Sequence, residues 1–197
     1  ARRRPPRRPS RVPHRRVAYA VWKVFLGQDP KDESRERGTD AACDALDAAL
    51  LAAGDTEAAL AVEHEALELA RRIAERDAAD PQRARNVSVV HNRIGRSLRL
   101  LARPDEAAAS HRASLAIIAP LVRAHPDERL FAADEAYTQW RLGEAMRDVP
   151  ARAAEGTRLL ETALATLRGL ERAGALDPSA KGWIDEITTI LAPPTPP

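Results

Sequence analysis

The chain has 197 residues, of which 44% are hydrophobic, 30% charged and only 4% aromatic. That length suits one continuous core, and the scarcity of aromatic side chains leaves alanine and leucine to fill it. Such a mix favours helices and argues against a sandwich or a disordered chain. A single cysteine, Cys43, excludes an internal disulfide framework and any multi-cysteine metal site, and no apolar run approaches the roughly 20 residues needed to cross a bilayer.

Charge is unevenly divided along the chain. The net charge is +2, yet residues 1–16 hold eight arginines and no acid, leaving about −6 for the rest. This Arg/Pro arm has no apolar face to bury and is expected to be extended or disordered, as is the Pro-rich tail at 192–197. Its charge would attract phosphates, but no aromatic residue precedes Tyr19 to stack on bases, so specific nucleic-acid binding is not expected. Residues 17–27 read as a helix whose apolar surface docks on the body, with a membrane-surface helix beside the basic arm as the alternative. Lys23 inside this stretch, and the lack of an A-x-A pattern after it, argue against a secretory leader.

Prolines, with the Gly54-Asp55 pair, divide the body at 17–191 into further helices near 34–53, 56–78, 82–101, 105–124, 127–147, 151–173 and 179–191. Connections this short force neighbouring helices to run antiparallel. Pro120 falls inside a helical stretch, where it should kink or end the helix. In the last segment Trp183, Ile184, Ile187 and Leu191 share one face, as a helix capping a repeat edge requires.

Self-comparison reveals a period of 48 residues through Leu46, Ile94 and Leu142, and again through Leu50, Leu98 and Met146. Ala59 matches Ala107, and Ala66-Leu67, Ser114-Leu115 and Ala163-Leu164 recur at 48 and 49 residues. Gly95 and Gly143 follow the repeated Ile and Leu; a glycine there lets two helices of one hairpin nest, at a cost of about 1 kcal/mol in helix propensity. Asp47 takes that place in the first unit, where the hairpin should be looser or the side chain turned to water.

These residues resemble the tetratricopeptide repeat, in which a first helix carries an L-G pair and a second carries A…A-L before a proline. The matching residues are Ile94-Gly95, Leu142-Gly143, Ala59-Leu60, Ala66-Leu67, and Ala107 with Ser114-Leu115; residues 151–157 fit poorly. The long period is similar to arrays found C-terminal to bacterial serine/threonine protein kinases. The resemblance covers about 29–178 and implies an all-α fold of antiparallel hairpins. These would stack as a short right-handed superhelix of about three repeats, with an N-terminal helix and a C-terminal capping helix. It also implies a protein-protein interaction scaffold, cytoplasmic, taking a peptide or protein partner in a concave groove, with self-association left open. The alternative is a regulatory segment of a larger signalling enzyme, although this chain carries no kinase motif.

Nothing in the sequence supplies an active site. There is no Gly-rich phosphate loop and no nucleophile elbow, and the five histidines (14, 64, 91, 111, 125) lack metal-ligand spacing. No catalytic residue, metal or cofactor is expected, and His91, Cys43 and Gln139 occupy equivalent repeat positions. Carried over from the resembled family, the groove positions and their neighbours one turn away are Asp44, Asn92, Arg96, Arg99, Tyr137, Trp140 and Glu144. Tyr137 and Trp140 would be the aromatic anchors. Asn92 and Arg96, one turn apart, would bond a peptide backbone or carboxylate.

Overall fold

A computed structural model describes residues 12–29, 32–147 and 149–192. Among these the fold is all-α, with eight helices: α1 (Val12–Gln28), α2 (Glu33–Ala53), α3 (Thr56–Arg76), α4 (Pro81–Leu100), α5 (Pro104–Ala124), α6 (Arg129–Arg147), α7 (Ala153–Arg172) and α8 (Lys181–Leu191). The first helices of the three hairpins begin at Glu33, Pro81 and Arg129, and the second helices at Thr56, Pro104 and Ala153, so the 48-residue period is also the period of the elements. Within the units described below, α1 packs on α2, and α4 through α8 pack each on the next, in a manner consistent with helical repeats.

Local chemistry explains where the helices start and stop. Asp32 caps α2 by accepting from the Ser34 and Arg35 amides (2.8 and 3.2 Å), and Asp80 caps α4 from Gln82 (2.8 Å), with Pro81 at its first position. Asp177 caps a single 3₁₀ turn at Pro178–Ala180 that leads into α8, which therefore begins at Lys181 instead of residue 179. Gly54 ends α2 in the left-handed region at φ 79°, and Asp55 caps α3 through the Ala58 amide (3.3 Å). Ala102, 48 residues later, holds the same left-handed conformation at φ 58° without glycine's freedom. Pro120 does not end its helix: α5 runs on to Ala124.

The chain forms two compact units, Ala1–Ala66 and Leu67–Pro197, divided inside α3. In the first, α1 starts at Val12, so residues 12–16 of the expected arm are helical, while residues 1–11 lie outside the described part. Trp22 lies over Gly38 of α2, where a Cβ would overlap its ring, and Tyr19 and Leu26 are buried. Lys23 donates to Glu65 at 2.5 Å, and burial raises the Tyr19 phenol beside it. Only part of the apolar surface docks. Val17 (64% exposed), Val21, Val24 and Phe25 remain exposed, because apolar residues occur around more of α1 than α2 can cover. Leu46 and Leu50 are buried at their repeat positions, and so is Asp47, which rules out the second of the two alternatives, a side chain turned to water.

In the second unit, Ile94 with Leu98 and Leu142 with Met146 are buried like their counterparts. The α6–α7 hairpin closes backbone to backbone. A Cβ on Gly143 would sit 2.7 Å from the Gly156 carbonyl oxygen, and one on Gly156 would sit 2.6 Å from that of Gly143. Gly156, inside the poorly matching stretch, is thus the equivalent of Ala59 and Ala107. A core of Ala136, Trp140, Leu160, Ala163 and Leu167 joins Ile184 and Ile187 of α8, which covers this hairpin.

Candidate functional site

The wall between α4, α5 and α6 carries a buried polar chain that fixes their register. Thr138 Oγ1 donates to the Asp134 carbonyl (2.8 Å), so Ser114, 3.2 Å away, must donate to Thr138, and Ser88 to Ser114 (2.8 Å). Asn92 Nδ2 also donates to Thr138 (2.7 Å), and its Oδ1 accepts from His111 Nδ1 (3.0 Å). Every member is buried and bonded, which sets one arrangement of the three helices. The His111 imidazole, packed over Gly95, stays neutral: burial, then the Arg141 and Arg99 charges, lowers its pKa to about 3.

Beside His111 the three helices leave a cavity of about 490 Å³. It is lined by Arg96, Arg99 and Leu100 of α4, Ala102 in the turn, Pro104 and His111 of α5, and Arg141 of α6. The Arg141 guanidinium lies over the Trp140 ring at 3.6 Å and 5.2 Å from the Tyr137 centroid, and donates to Glu144 (2.8 Å). Glu144 also meets Arg99 at 3.3 Å, so one buried carboxylate holds two guanidiniums at the rim.

Of the residues singled out by sequence, Arg96, Arg99 and Glu144 come together here, and Tyr137 lies half-buried against Arg141. Trp140 is a correction. It is 0% exposed, meeting Tyr137 edge to face at 5.8 Å and Trp183 at 6.1 Å, so it supports Arg141 from beneath and cannot touch a partner. Asn92 is likewise buried within the polar chain instead of facing a peptide. Asp44 is exposed on α2 in the other unit.

Arg141 and His111 were not singled out by sequence. The available signal for Arg141 was its i,i+3 spacing to Glu144; for His111, nothing in the sequence marks a neutral, buried imidazole. Among the described residues no group of His, Cys, Asp and Glu side chains could hold a metal ion, and no helix is long and apolar enough to cross a membrane. A scan against protein-family models and a search of curated proteins find no match to this chain.

Proposed function

We propose that this chain is a non-catalytic interaction scaffold, a short right-handed superhelix of the tetratricopeptide kind, which binds a peptide or protein partner through its second unit. One observation carries the reading: Arg96, Arg99 and Arg141 line one open cavity, and Arg141 is held by buried Trp140 and Glu144. Guanidiniums held this way recognise anionic groups with little ordering cost. The exposed Leu100 on the same wall offers apolar contact to the neighbouring part of a partner. The equal spacing of the hairpins supports the scaffold half of the proposal, since stacked repeats present long surfaces of this sort.

The test is affinity capture from the source cell with the intact chain and with Arg96→Ala/Arg99→Ala, read by mass spectrometry. The double variant should lose the specific partner while its helical content and melting temperature hold. Identical capture by both forms would overturn the assignment of the binding surface.

A further inference from the structure

We propose that the Arg96–Arg99–Arg141 cavity takes a phosphate monoester dianion, carried on the partner of this scaffold. The inference rests on the scaffold reading for the partner, and on the cavity alone for the chemistry.

Arg96 and Arg99 of α4 and Arg141 of α6 line one space of about 490 Å³, shared with Leu100, Ala102, Pro104 and His111, with the Glu144 carboxylate at its rim. A guanidinium has five N–H donors, so one that already bonds a protein group retains others for a ligand. Glu144 decides between a carboxylate and a phosphoryl group. Its Oε2 already bridges Arg141 and Arg99, at 2.8 and 3.3 Å, which is the place a ligand carboxylate would take. A second monoanion would meet that charge with only two oxygens to share among three arginines. A phosphoryl group offers three acceptor oxygens, one for each guanidinium, and its second charge gains more from three arginines than it loses to the single Glu144 carboxylate.

Arg141 is the positioned member. Stacking on Trp140 and Tyr137 fixes its plane, so a dianion would lose little to ordering it.

Titration calorimetry on the full chain tests this, with phenyl phosphate, inorganic phosphate and benzoate as probes at fixed ionic strength. Phenyl phosphate should saturate one site, with benzoate weaker by about tenfold or more. Arg141→Gln and, separately, Arg99→Gln should each weaken phenyl phosphate by about tenfold, the second variant guarding against misfolding in the first. Inorganic phosphate binding as tightly as the ester would overturn the ester assignment in favour of the free anion. No saturation, equal affinity for benzoate, or affinity unchanged in both variants would overturn the site. In the capture experiment, phosphatase treatment of the lysate should abolish partner recovery. Recovery that survives the treatment overturns the phosphoryl inference and leaves the scaffold reading standing. Saturable phenyl phosphate binding with no partner captured from an untreated lysate removes the scaffold reading and with it the partner-borne ligand.

Discussion

Gly156→Ala isolates the packing of the third hairpin. The added Cβ would stand 2.6 Å from the Gly143 carbonyl oxygen and 3.0 Å from the Arg147 amide nitrogen, both backbone atoms, so no side chain can turn aside to make room. The helices must part, and overpacking of this kind costs about 1–3 kcal/mol. Alanine returns about 1 kcal/mol of helix propensity, leaving a net loss of about 1 kcal/mol, up to about 2. For a chain of this length each kcal/mol moves the melting temperature by about 2–4 °C. Gly169→Ala is the control in the same helix: a Cβ there meets nothing within 4 Å, so only the propensity term acts and the protein should gain about 1 kcal/mol. Circular dichroism melts at 222 nm should therefore move in opposite directions for the two variants. If both raise the melting temperature alike, the close approach of α6 and α7 is not what fixes glycine at 156.

Other substitutions probe the remaining parts. Ala102→Gly relieves the left-handed strain at φ 58° and should stabilise by about 0.5–1 kcal/mol in denaturant titrations; a loss of stability would show that the turn is not strained. Trp140→Ala empties a fully buried site and should cost about 3–5 kcal/mol, a fall that a surface anchor would not produce. His111 holds its proton less well folded than unfolded, with a pKa of about 3 against an ordinary 6.5, so the unfolded chain takes up the proton first as pH falls. Stability should drop by about 1.4 kcal/mol per pH unit between about 6.5 and about 3 from this group alone, and His111→Gln should remove that slope. An unchanged slope in the variant would place the neutral imidazole elsewhere.

Much of the architecture was legible in the sequence because backbone chemistry writes it. Pro81, Pro104, Asp80 and the Gly54-Asp55 pair mark helix ends by what they can and cannot bond, and those ends recur at a fixed spacing. The glycine contacts were half legible. Gly143 stood out by its period, whereas Gly156 was hidden by the single-residue offset between the second helices of the last two hairpins. The site was the least legible. Trp140 shares its repeat position with exposed Asp44, and it is packed among α6 and α7 residues and against Trp183 of α8, which lies outside the repeat. The arginine cavity depends on the Ala102 turn and on the polar chain that sets α4, α5 and α6 against one another, which are tertiary facts that no local pattern carries.

Amide hydrogen exchange, residue by residue, tests the repeated-hairpin account most directly. Slow exchange should peak at Leu46–Leu50, Ile94–Leu98 and Leu142–Met146, with fast-exchanging gaps near Asp55, Arg103 and Val149, giving one profile displaced by 48 residues and then by 46 to 48. Protection that follows no common displacement, or a well-protected backbone through those three gaps, would contradict it.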